Sequence, residues 1–177
     1  MARNKRLQDR EEKQKEIISA ARTLFLNEGY EATSMSRIAA IAGVAPNTIY
    51  WYFKDKDELL VNILNTELID RFSAYIELQT KDIVERIVWV IDQFKLVKQL
   101  VNTVHARLHF SPEIYIWHER FHILVENLLR QELRQSGVAE ERIEARVKIA
   151  VFTVEGLLVH EVTNKEKYAI CSELFNL

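Results

Sequence analysis

Residues 33–59 read TSMSRIAAIAGVAPNTIYWYFKDKDEL, and the fold turns on this stretch. Two short segments, Ser36–Ala42 and Pro46–Phe53, flank Gly43. Ala39 and Ala42 keep the first segment thin enough for a steep crossing, while Ile38, Val44, Ile49 and Phe53 supply a small core. Gly43 provides the positive φ of a tight turn. Pro46 suits the first turn of a helix, where its missing N–H costs nothing. The pattern is that of a helix-turn-helix. The second helix, predicted over Pro46–Phe53, turns Asn47, Thr48, Tyr50, Trp51 and Tyr52 outward. Adjacent residues on a helix stand about 100° apart, so Tyr50, Trp51 and Tyr52 cannot all face inward. Exposed aromatic surface generally has a partner, and such a helix fits the DNA major groove. Thr33, Ser34 and Ser36 open the first segment, where unpaired backbone N–H groups favour phosphate. Arg37 on that segment, Lys54 and Lys56 after the second, and a basic arm of Arg3, Lys5 and Arg6 add positive charge for phosphates. The competing interpretation is a plain helical packing unit with a solvated face.

Working outward, the four glycines and two prolines of the 177-residue chain read as punctuation. Ile17, Ala21, Leu24 and Phe25 form one face of a first helix that ends before Gly29. Asp55 and Glu58 form a capping box before Leu59, Leu60, Ile63 and Leu64, and that helix is predicted to run to about Leu78. A break at Thr80–Asp82 precedes an apolar face from Ile83 through Val101. Ser111-Pro112-Glu113 starts the next helix, which Gly137 closes. A further helix is predicted over Ala139–Val162, with Ile143, Val147, Ala150, Val154, Leu157 and Leu158 inward, and a short last one over Lys165–Phe175. The expected fold is all-α: a three-helix DNA-binding head over residues 1–56 and a helical body over 57–177.

Composition sets the outer limits. Apolar residues make up 48% of the chain, enough for a real core. One cysteine, Cys171, excludes an intramolecular disulfide and a cysteine-based zinc cluster. No apolar run exceeds that of Ile87–Ile91, far short of the ~20 residues of a membrane span, and the N-terminus lacks a signal-peptide pattern. A cytoplasmic protein with no membrane partner is expected. The net charge is −2, but residues 1–56 hold ten Lys and Arg against seven Asp and Glu, and residues 57–177 hold fourteen against nineteen. A mildly basic head on an acidic body points to an anionic partner at the head.

Within this frame the sequence resembles the TetR family of transcriptional regulators. The resemblance rests on Thr33-Ser34, Ile38-Ala39, Ala42-Gly43-Val44, Tyr50-Trp51-Tyr52-Phe53, Lys56 and Leu59, together with Ala20-Ala21, Leu24-Phe25 and Gly29-Tyr30 upstream. Ala45 departs from the Ser or Thr cap common there. The resemblance implies a homodimer that binds a palindromic double-stranded DNA operator. Thr33, Ser34 and Lys56 would contact phosphates, and Asn47, Thr48, Tyr50 and Tyr52 would form the recognition surface. It implies dimerisation through the last two helices, with Ala150, Val154, Gly156 and Leu157 at the interface. It also implies a body pocket whose occupant releases DNA. Trp89, Phe94, His105, His109, Phe110, Trp117 and Phe121 are the candidate lining, suited to a small apolar or aromatic effector.

Two histidine pairs, His105/His109 and His118/His122, have the i, i+4 spacing that puts both rings on one helical face. A metal held there is the main alternative, giving a helical metal-binding protein or enzyme. An architectural DNA-binding protein without an effector is another. No cofactor is required by the sequence, and no nucleophile elbow or phosphate loop supports an enzyme.

Overall fold

A computed structural model of the chain describes the backbone of residues 2–78 and 82–175, with side chains from residue 8 onward. Thr80 and Lys81 of the expected break lie outside the described residues, as do the side chains of Arg3, Lys5 and Arg6. The described regular elements are all helices: α1 (Ala2–Asn27), α2 (Met35–Ile41), α3 (Lys56–Glu77), α4 (Ile83–Leu96), α5 (Lys98–Arg107), α6 (Pro112–Gln135), α7 (Glu140–Val159) and α8 (Asn164–Phe175). A 3-10 turn, Ile49–Trp51, lies between α2 and α3. The backbone of the expected loose arm is thus the start of α1. Among the described residues no helix is long and apolar enough to cross a membrane.

The chain packs as two units. One joins Met1–Ile69 with Gln99–Trp117, and the other joins Asp70–Lys98 with His118–Leu177. This packing division differs from the functional partition expected at 56/57, because residues 99–117 go with the head.

In the first unit α1 packs on α2. Ile17, Ala21, Leu24 and Phe25 are buried, as their helical spacing requires. Gly29 has φ 91° and turns the chain back, so that the Tyr30 ring tilts onto Phe25 at 5.0 Å. The Ser34 hydroxyl accepts the Arg37 N–H at 3.1 Å and caps α2. Gly43, with φ 66°, ends it.

Residues 45–53 do not form the α-helix predicted over Pro46–Phe53. The Thr48 N–H donates to the Ala45 carbonyl (2.8 Å), Trp51 to Thr48 (3.1 Å) and Tyr52 to Ile49 (3.0 Å). These are i→i+3 turns, with a single i→i+4 bond from Phe53 to Ile49 at 3.0 Å. The cause is local. Ala45 offers no capping oxygen, Asn47 and Thr48 are residues whose side chains compete with helical backbone bonds, and Ile49 with three aromatics makes a weak helix former. After it, the Asp55 carboxylate accepts the Glu58 N–H at 2.8 Å, while the Glu58 carboxylate reaches back to the Lys54 N–H at 2.6 Å. This is the expected capping box, shifted by one residue on its return bond.

In the second unit α4 packs on α7 and α8, and α7 on α8. Ile87, Ile91, Leu133, Ile143, Val147 and Cys171 sit in its buried core. The expected continuous face from Ile83 to Val101 is broken at Val97, whose N–H turns back to Phe94 at 3.1 Å. Thr163 and Glu166 form a reciprocal capping box at the start of α8, with N–H bonds of 3.2 and 2.8 Å. The assigned dimer residues need correction. Ala150 and Leu157 are buried in this core, and Val154 packs against it. They are the inward face of α7, so they close the subunit itself. Gly156 lies off that face, and a methyl group there would meet nothing within 4 Å.

Candidate nucleic-acid interface

The turn over residues 45–53 places its groups as a reading surface needs, although it is not the expected helix. Ile49 and Phe53 are buried beneath it, while Pro46, Asn47, Tyr50 and Trp51 are exposed and Thr48 and Tyr52 half-buried. Trp51 is 79% exposed, and exposed aromatic surface of this kind generally has a partner. Trp51 and Tyr52 border an open groove with Asp9, Arg10 and Lys13 of α1. Those α1 residues lie outside the stretch that sequence reasoning singled out, because a basic residue on a charged helix carries no local signal.

The polar candidates divide. Ser34 and Ser36 are exposed at the start of α2. The Ser34 hydroxyl, used as an acceptor, keeps its proton to donate. Arg37 is exposed and pairs with Glu28 at 3.3 Å. Lys54 is exposed and pairs with Glu113, a hydrogen bond that raises its pKa. Thr33 is different. It is buried, and its hydroxyl donates to the Gly29 carbonyl at 2.8 Å. Its side chain holds the loop and is not offered to a phosphate. Lys56 is likewise turned inward. Its ammonium donates to the carbonyls of Tyr30 and Thr33, both at 2.8 Å, and lies 4.2 Å from the centre of the Tyr30 ring. Burial lowers its pKa. Two of its three donors are thus spent on the chain, and the assignment of Thr33 and Lys56 as direct phosphate ligands gives way to one of loop supports.

Sequence reasoning missed the cluster beside them. The Tyr30 hydroxyl donates to Asp57 Oδ1 at 2.5 Å. Arg107, the last residue of α5, grips both Asp57 oxygens, with Nε to Oδ1 at 2.6 Å and a terminal nitrogen to Oδ2 at 2.8 Å. Burial pushes the Asp57 carboxyl up, but the hydrogen bonds of Arg107 and Tyr30 and the guanidinium charge outweigh it and hold the group below its usual range. Burial, then the bond to Asp57, pushes the Tyr30 phenol well above its ordinary value. Asp57 and Arg107 are separated by 50 residues, so no periodicity could have joined them.

The candidate pocket residues fall in different units. Trp89, Phe94 and Phe121 belong to the second, where Phe94 and Phe121 meet edge-on at 5.8 Å and Trp89 lies 6.5 Å from Tyr75. His105, His109, Phe110 and Trp117 belong to the first. Phe110 is 76% exposed and both histidines are exposed, so these three do not line an enclosed site. Trp117 donates to Asn65 at 2.9 Å. The histidine pairs are split in the same way, His105 and His109 in the first unit and His118 and His122 in the second. His118 and His122 approach within 3.1 Å through their Nε2 atoms. Among the described residues no group of three or more His, Cys, Asp and Glu is arranged to hold a metal ion.

Comparison with known proteins bears on the same stretch. Residues 17–63 match the family profile described as bacterial regulatory proteins, tetR family. Over 71 residues the chain is 37% identical to the fatty acid metabolism regulator protein of Bacillus subtilis, covering 40% of this chain and 34% of that protein. The chain thus spans about a third of that curated relative's length. Two solved structures share the fold across most of the chain. A transcriptional regulator from Rhodococcus sp. Rha1 superimposes with TM-score 0.75 at 16% identity, covering 92% of this chain and 93% of that one. AibR, solved with isovaleryl coenzyme A and operator DNA, superimposes with TM-score 0.63 at 19% identity, covering 92% and 98%. The likeness to the tetR family of bacterial regulatory proteins thus rests on the head, residues 17–63, and the solved structures extend the shared fold over the rest of the chain.

Proposed function

We propose that the chain is a DNA-binding transcriptional regulator: a repressor released by a small ligand, acting as a homodimer on a palindromic operator. One observation carries the DNA-binding reading: the turn over residues 45–53 exposes Asn47, Tyr50 and Trp51 above a buried Ile49 and Phe53. Such a surface is braced from behind and open in front. Direct readout of base edges needs that arrangement, and Ser34, Ser36, Arg37 and Lys54 flank it for phosphates.

The head is residues 1–56, and residues 57–177 carry regulation. The dimer face is the outward side of α7, where Ile149, Phe152 and Val159 are exposed with Gly156 between them. Spacings of 3, 4 and 3 put these four on one stripe. A two-fold dimer presents two heads to half-sites about 34 Å apart. The effector is apolar or aromatic and sits among Trp89, Phe94 and Phe121 of the second unit. AibR, whose fold this chain shares, was solved with an acyl coenzyme A as well as operator DNA, which supports one fold serving both ligands. A ligand that favours a state with misplaced heads shifts the population, and a coupling of ~1–3 kcal/mol changes affinity ~5–150-fold.

The test is selection of duplexes from a random pool by the wild-type protein. The expected product is a two-fold symmetric motif whose affinity drops for Tyr50→Ala while the variant's melting curve stays that of the wild type. A pool that yields no enriched duplex at low ionic strength overturns the reading.

A further inference from the structure

Asp57 draws together two side chains from separate parts of the first unit: Tyr30 from the loop after α1 and Arg107 from the end of α5. Asp57 itself lies in the first turn of α3, four residues after Phe53, the buried end of the reading turn. No glycine occurs between Val44 and Ser136, so the short connection has no glycine hinge to absorb a displacement of Asp57. Arg107 also lies 5.0 Å from the centre of the Tyr30 ring. Tyr30 in turn carries Lys56 on its ring and on its carbonyl. The support of the 30–33 loop and the support of the reading turn therefore meet at one guanidinium.

The bond is of a directional kind. A two-pronged guanidinium–carboxylate pair fixes orientation as well as distance, and lysine cannot reproduce it. Side-chain exposure is 22% for Arg107 and 17% for Asp57, so solvent weakens the pair less than it weakens a surface pair. The second link from this region, Lys54 to Glu113, is far more exposed, at 57% and 41%, and exposed pairs of that sort contribute little.

We propose that Arg107 is a positioning residue for DNA recognition: through its grip on Asp57 and Tyr30 it sets the angle at which residues 45–53 meet the duplex. The proposal rests on the DNA-binding reading above. Arg107 itself touches no DNA, and its loss acts through the placement of Asn47 and Tyr50. Base readout depends on that placement, whereas charge attraction to phosphates depends on it far less.

The test compares two probes: a 30-bp duplex selected by the wild-type protein, and a scrambled duplex of the same composition. Arg107→Ala and Arg107→Lys are measured against both, well below the melting temperature. The expected result is an affinity for the selected duplex reduced about tenfold or more, with scrambled-duplex affinity and its salt dependence within about twofold of wild type. A merely structural role lowers the folded fraction and reduces both affinities in proportion. That result, or unchanged affinity for the selected duplex, overturns the proposal. If Arg107→Ala does not fold, Arg107→Lys, which keeps charge and bulk, decides by the same two readouts. A wild-type protein with no preference between the probes fails the DNA reading itself, a different outcome from either.

Discussion

Each unit has an apolar core, and they differ in what is added to it. Beneath the reading turn, the first unit adds directed polar bonds to an apolar core that includes Phe25, Ile38, Ile49, Phe53 and Leu59: Ser34 on Arg37, Lys56 on two carbonyls, and Tyr30 and Arg107 on Asp57. The second relies on an apolar core from α4, α6, α7 and α8, with Arg86–Glu132 and Lys167–Asp92 at its edge. Apolar burial is strong but tolerates small shifts. Charge-assisted hydrogen bonds contribute less net stability and specify geometry closely. A segment that must meet a duplex at a fixed angle needs the second property more than the first.

Leu133→Ala should produce the largest effect, a loss of about 2–5 kcal/mol in urea unfolding, because Leu133 is 1% exposed in the second core. A loss below about 1 kcal/mol would mean that this core collapses around the gap and the contrast is overstated.

Acid should loosen the cluster around Asp57. The folded pKa of Asp57 is below its usual 3.8. Its contribution is therefore complete above that value and fades as pH falls through the lower folded value. Hydrogen bonds to charged groups suggest about 1.5–3 kcal/mol. Asp57→Asn should be less stable than wild type at pH 7, and the gap should narrow below about pH 4. Urea melts across that range check this, and a gap that stays constant breaks the argument.

Ser34→Ala removes the cap of α2 and should cost about 1 kcal/mol, read as a lower melting midpoint. Gly156→Ala should give the smallest change, and its sign is informative. Replacing an unstrained helical glycine that meets nothing within 4 Å should stabilise the isolated chain by about 0.5–1 kcal/mol. If α7 pairs closely across Gly156 in a dimer, the same methyl should instead shift the mass measured by light scattering toward the monomer.

Much of this fold was legible in the chain. The caps at Asp55 and Ser111, the glycine turns at 29, 43 and 137, and the inward face of α7 all follow local rules, and the structure has them. The exposed Asn47, Tyr50 and Trp51 were legible too. The Pro46–Phe53 helix was misread because the periodicity of Ile49 and Phe53 fits a tight turn as well as a helix. Thr33 and Lys56 were misread because a hydroxyl and an ammonium next to a DNA-reading segment look like phosphate ligands until their partners are known. Ala150 and Leu157 could not serve both the subunit core and a dimer face, and burial decided for the core. Arg107 was invisible, since its partner lies half a hundred residues upstream.

That separation has a consequence during synthesis. When Asp57 leaves the ribosome, its guanidinium partner has yet to be translated, and it follows 50 residues later. At roughly 5–20 residues per second, the nascent head waits some seconds with a half-covered carboxylate and no cation to satisfy it. A fragment ending at residue 69 would stay in that condition permanently, so the reading segment, though it occupies the first third of the chain, reaches its final form only after translation has passed residue 107.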